Sequence, residues 1–169
     1  VPVTRDIAAT YRRPGKTLRA ILARGVSEPR ALAYLMGACG VMFVAQWPRL
    51  AREAHLQGTE LEPALGGALL ATVIFLPLIF YVVAGFSQLV ATAVMRPIGG
   101  YETRLSLFWA LLAAAPLALL YGLVGGFIGA GGALTLVGAA WLGVFLWFWT
   151  TGLREARRLA GPGGEEGAV

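Results

Sequence analysis

The chain has 169 residues, of which 57% are hydrophobic and 14% charged, and its mean hydropathy is +0.70. Average globular chains carry about 25% charged residues, so a soluble enzyme, a nucleic-acid-binding domain and a disordered protein are all excluded. The net charge of +5 and the pI near 10 come from 13 Arg and one Lys, and their distribution along the chain explains them without a nucleic-acid partner.

Residues 1–30 form a basic segment. Val3, Ile7 and Tyr11 recur at helical spacing beside Arg5, Asp6 and Arg12. After the Pro14–Gly15 break, Leu18, Ile21 and Leu22 repeat the pattern beside Lys16, Arg19 and Arg24. Two short amphipathic helices lying at the lipid headgroups fit this pattern. Arg12, Arg13, Lys16 and Arg19 are then the headgroup contacts, each worth about 1 kcal/mol on an anionic leaflet. The alternative is that these charges only set topology.

Residues 31–153 form the membrane domain. Ala31–Pro48, Pro63–Met95 and Leu105–Leu153 contain no Asp, Glu, Lys or Arg, and together they make up 100 of the 169 residues. A span needs about 20 apolar residues, and backbone in lipid must satisfy its own hydrogen bonds, which favours helices. Four spans are expected. They run over 31–48 (ended by Pro48), 64–85 with an extension to 95, 105–128, and 133–153, the last two separated by Gly129, Gly131 and Gly132. Residues 154–169 form a tail whose end, GPGGEEGAV, reads as disordered. The fold class is therefore all-α: a polytopic bundle of four transmembrane helices preceded by basic interfacial helices.

Orientation follows the Lys and Arg residues. Twelve fall in the N-terminal segment, the second loop and the tail, against Arg49 and Arg52 alone on the other side. Both termini are thus expected in the cytoplasm. The Arg-rich, Asn-free composition points to a GC-rich bacterial genome and its inner membrane. No secretory signal is expected, since the first long apolar run begins at Ala31.

No ionisable residue lies within the expected spans, which argues against a proton- or cation-coupled transporter. Gln88, Ser87, Thr72 and Thr92 are the polar candidates, and Gln88 either lines a site or bonds a neighbouring helix. Pro77 and Pro116 free the carbonyls of Val73 and Leu112, which reads as kinked packing, with a transporter-type site as the alternative. Gly122/Gly126 and Gly125/Gly129 are GxxxG pairs for close helix approach, within one chain or between chains. Trp47, Trp109, Trp147 and Trp149 read as interfacial anchors. His55 and Cys39, the only His and Cys, cannot make a zinc site. No catalytic residue, metal or cofactor is expected.

Three stretches carry a family resemblance: Tyr11–Leu22 (YRRPGKTLRAIL), Gly99–Pro116 (GGYETRLSLFWALLAAAP) and Trp141–Ala156 (WLGVFLWFWTTGLREA). In this order they resemble the Yip family of Ypt/Rab-interacting integral membrane proteins, in its bacterial branch. The resemblance implies a multi-pass protein with a cytosolic proline-containing helix before the first span. The family typically has five spans and this chain shows four, which places its C-terminus in the cytoplasm. Eukaryotic members act in vesicle traffic with Rab-type GTPases, a partner a bacterium does not offer, and no catalytic residue carries over. The functional expectation is a non-enzymatic inner-membrane protein working through anionic lipids and other membrane proteins or self-association, as organiser or accessory subunit. The alternative is a small transporter or channel for an uncharged or apolar solute.

Overall fold

The computed structural model describes residues 2–94 and 99–161. Helix accounts for 90% of the described residues, and there is no strand among them. In chain order the helices are α1 (Pro2–Arg12), α2 (Pro14–Leu22), α3 (Glu28–Gln57), α4 (Leu61–Leu70), α5 (Leu76–Val94), α6 (Gly100–Phe127) and α7 (Gly132–Leu159). A π-helical turn, Ala71–Phe75, joins α4 to α5 without a break. Four stretches are long and apolar enough to cross a bilayer: Glu28–Gln57, Leu61–Val90, Gly100–Phe127 and Gly132–Leu159. This is a membrane protein with an all-α helix bundle.

Pro48, expected to end the first span, lies inside α3, which runs on to Gln57. Proline removes one N–H and disturbs one upstream carbonyl, and here the helix resumes beyond it with an Arg49–Glu53 pair one turn apart. Gly58 ends it in the left-handed conformation at φ 65°, which only a residue without a β-carbon adopts freely. Thirty residues of α3 measure about 45 Å against about 30 Å of hydrocarbon, so this helix tilts or projects. The second span is one helix from Leu61 to Val94, broken only in hydrogen-bond pattern: the Leu76 N–H reaches back to the Ala71 carbonyl. The π-turn widens the helix immediately before Pro77, where the ring would otherwise crowd the preceding turn. Pro116 is accommodated within α6.

The expected glycine break between the last two spans is present. α6 ends at Phe127, Gly129 adopts φ 92°, and α7 begins at Gly132. α7 continues past Leu153 through the basic residues to Leu159. Arg96 and the tail beyond Gly161, where disorder was expected, lie outside the described residues.

α6 is the axis of the bundle, packing against α3, α5 and α7. Its first half is enclosed on every side: the residues from Leu105 to Ala115 are all buried. The second half buries only Ala118, Gly122 and Gly125. The difference is made by α1 and α2, which fill the remaining side of the first half. This is the hairpin end of the bundle, and the opposite one is the far end.

The placement of α1 and α2 corrects the expectation that their apolar stripes face lipid. Leu18, Ile21 and Leu22 are buried against the bundle, and Val3 and Ile7 pack on the same core. Both stripes exist as read, but protein buries that of α2 and partly covers that of α1.

Candidate functional site

Three features meet the functional question: a glycine seam, a docked basic hairpin, and an open-sided cavity lined by four spans. The seam lies between α3 and α6. A β-carbon at Gly122 would stand 1.6 Å from the Ala45 carbonyl oxygen, and one at Gly126 would stand 2.4 Å from Pro48 Cβ. Gly125 and Gly129 face Arg49 and Arg52 of the same helix. The four glycines are thus brought together and spent on internal packing, where close backbone approach maximises van der Waals contact. Arg52 adds to the seam by donating from Nη1 to the Gly126 and Phe127 carbonyls, both at 3.3 Å. A cation at the unsatisfied carbonyl end of a helix is favourable by about 0.3–1 kcal/mol.

The hairpin is fixed by polar contacts that sequence reasoning missed. Glu155 on α7 is only 5% exposed. It accepts hydrogen bonds from Arg19 Nε at 2.9 Å and Nη2 at 2.7 Å, and from Arg158 Nη1 at 2.9 Å. Two cations on one buried carboxylate are what its desolvation requires. A β-carbon at Gly15 would lie 3.3 Å from that carboxylate, so the glycine of the Pro14–Gly15 break lets α2 sit close to α7. The Tyr11 hydroxyl donates to the Ala113 carbonyl of α6 at 2.9 Å, and burial pushes the Tyr11 phenol above its ordinary pKa. Asp6 pairs with Arg24 at 2.8 Å across the two helices, a hydrogen bond that raises the Arg24 guanidinium further.

Arg19 is therefore not a free headgroup contact: its guanidinium is engaged by Glu155. Arg12, Arg13 and Lys16 do converge, together with Arg5 and Arg24, along a groove of about 590 Å³ between α1 and α2. Only Arg24 among these five has an ion-pair partner among the described residues. The groove contains one carboxylate, Asp6.

The tryptophans divide. Trp47 and Trp147 are 48% and 49% exposed, as outward-facing anchors would be. Trp109 is a correction: it is 0% exposed, its indole N–H donates to Thr10 Oγ1 at 3.2 Å, and its ring meets Tyr34 edge-on. Position near a span end does not reveal facing, and α1 covers this one. Trp149 stacks on Phe145, which stacks on Trp141 in turn, and both indole N–H groups are buried without a partner. Gln88 accepts a 2.6 Å hydrogen bond from Thr103 and so bonds a neighbouring helix. His55 is exposed at the end of α3 and Cys39 is buried within it.

The cavity, of about 770 Å³, lies toward the far end. Its floor is the α3–α6 seam from Met42 to Arg49 and from Ala118 to Gly122; its walls are Ala71–Ile79 on one side and Gly138–Leu142 on the other. Just beyond these residues, toward the hairpin end, Phe80 and Phe145 meet edge-on at 6.2 Å. The lining is mostly apolar. Inside it, Gln46 Nε2 donates to Thr72 Oγ1 at 2.8 Å and to the Met42 carbonyl at 3.4 Å.

Comparison with protein-family models, with curated proteins and with solved structures finds no match for this chain.

Proposed function

We propose that this membrane protein is non-enzymatic and works by contact, with anionic lipid through the α1–α2 groove and with other membrane proteins, as an organiser or accessory subunit. The reading includes a bacterial inner membrane with both termini in the cytoplasm, in keeping with the Arg distribution. It also includes the bacterial Yip resemblance. Two of the three stretches that carry it lie largely in α2 and α7, which pack together at the hairpin end.

The single observation that carries the reading is the groove itself. Four cations without ion-pair partners among the described residues, Arg5, Arg12, Arg13 and Lys16, line one depression on a hairpin that Glu155 clamps to the bundle. Charges that repel one another are held side by side on a fixed support, which favours an anionic counterpart. The α2 stripe is buried in protein and the α1 stripe is partly covered, so electrostatics is the main source of lipid affinity.

The test is energy transfer from the protein's tryptophans to dansyl-labelled lipids in bilayers of defined composition. Transfer to an anionic lipid is expected to exceed transfer to a neutral one. The excess disappears in the Arg12→Gln, Arg13→Gln, Lys16→Gln variant and shrinks as salt screens the groove. Equal transfer to both lipids in the wild type removes the proposal.

One observation favours the second reading, passage of an uncharged or apolar solute: the cavity among the four spans. Passage would require the Phe80–Phe145 contact to open. Solute flux in proteoliposomes that increases on Phe145→Ala supports this reading.

A further inference from the structure

The cavity is graded along its depth. Arg49 stands at its far end, Gln46 and Thr72 meet one helical turn deeper, and apolar wall follows down to Leu76, Ile79 and Leu142. We propose that it holds one chain of a membrane phospholipid, with the phosphate on Arg49 and the ester carbonyl on the Thr72 hydroxyl. This site is separate from the hairpin groove, lies toward the opposite end of the molecule, and does not depend on it.

Three observations converge. The space exists because small residues face it from all four spans: Ala45, Ala71, Ala118 and Gly138. Sites between helices are where apolar ligands with a few polar anchors bind. From Ala71 to Ile79 the wall is about 12 Å long, against roughly 15 Å for one leaflet of a 30 Å hydrocarbon core. A single acyl chain matches that depth.

The polar groups have capacity left over in the right order. Gln46 uses its amide N–H toward Thr72 and Met42, which leaves its carbonyl oxygen. Thr72 accepts from Gln46 and retains a hydroxyl hydrogen to donate. Arg49 uses one nitrogen, Nη1, on Glu53 at 3.2 Å, and the remaining guanidinium donors suit a phosphate. One helical turn, about 5 Å along the axis, separates Arg49 from Gln46, which suits the glycerol spacing between phosphate and ester. Finally, Thr72 belongs to the π-turn, a distortion that re-aims side chains and often marks functional sites.

The experiment uses the full chain in the Arg12→Gln, Arg13→Gln, Lys16→Gln background, so that the hairpin groove does not contribute. The protein is equilibrated with phosphatidylglycerol or with diacylglycerol in detergent, and retained lipid is counted by native mass spectrometry. One phosphatidylglycerol per chain is expected. Retention falls about tenfold on Arg49→Gln, the loss expected for a charged hydrogen bond, and also falls on Ala71→Phe, which fills the space. Diacylglycerol, with no phosphate, is retained about as weakly by the parent as phosphatidylglycerol is by Arg49→Gln. Thermal unfolding of each variant is recorded alongside, and the two substitutions lie on different helices that line the site. Absence of retained lipid in the parent, or retention unchanged by both substitutions, overturns the proposal. Equal retention of diacylglycerol and phosphatidylglycerol also overturns it.

Discussion

Gly122 of α6 and Ala45 of α3 touch backbone to backbone: a β-carbon on Gly122 would fall 1.6 Å from the Ala45 carbonyl oxygen. Neither helix offers a flexible side chain at that point that could move aside. Gly122→Ala is therefore expected to separate α3 from α6 and lower stability by about 1–3 kcal/mol, the range for overpacked cores. At Gly125 the nearest atoms to an added β-carbon are 3.5 and 3.7 Å away, ordinary contact distances, so Gly125→Ala is expected to lie within about 0.5 kcal/mol of wild type. Unfolding in detergent with added denaturant compares the two. Equal effects would contradict the seam.

The clamp on the hairpin predicts a local effect. Arg19→Ala leaves Glu155 with Arg158 alone. Arg19 is half exposed, so the loss is discounted for solvent to about 1 kcal/mol. Opening of α1–α2 then rises roughly fivefold, read as faster tryptic cleavage at Arg12 and Lys16 while the spans stay intact. An unchanged cleavage rate would mean that the apolar face of α2 alone holds the hairpin.

Tyr11 gives the hairpin a pH dependence. Burial raises its folded pKa above the ordinary value of 10.0, so the neutral phenol is favoured while docked. Its contribution is complete below about pH 10 and is lost as pH rises through the folded value, because the unfolded chain ionises first. The phenolate also cannot donate to the Ala113 carbonyl. Ultraviolet titration of wild type minus Tyr11→Phe should show a late-titrating tyrosine, with tryptic cleavage of the hairpin accelerating in the same range. A difference spectrum with an ordinary midpoint contradicts this.

Arg52 caps α6 through the Gly126 and Phe127 carbonyls. Arg52→Gln is expected to cost about 0.3–1 kcal/mol and to speed amide exchange locally at Phe127–Gly131. Slower exchange there, or a change confined to the hairpin, would exclude the capping role.

The sequence makes the spans legible because charge is absent from them, and the α6–α7 break legible because Gly129 does what only glycine does easily, adopting φ 92°. The glycine pairs are legible as a seam, though spacing alone leaves open whether the seam is internal. Other features depend on contacts distant in the chain. An apolar stripe facing lipid and one facing protein have the same periodicity, so Leu18 and Ile21 do not reveal that α7 covers them. Trp109 reads as an anchor from its depth and proves buried because α1 lies over it. Glu155 reads as one charge in a basic tail, and its burial depends on Arg19, 136 residues away. The cavity depends on small residues on four separate helices, a coincidence no local pattern records.

The most direct measurement of the central claim is mild-detergent extraction from native membranes, followed by size separation and mass spectrometry of the proteins and lipids that co-migrate. The account predicts anionic lipid enriched over the source membrane, together with a stoichiometric membrane-protein partner. The enrichment should be lost in the Arg12→Gln, Arg13→Gln, Lys16→Gln variant. Migration alone, with lipid in the proportions of the source membrane, would contradict it.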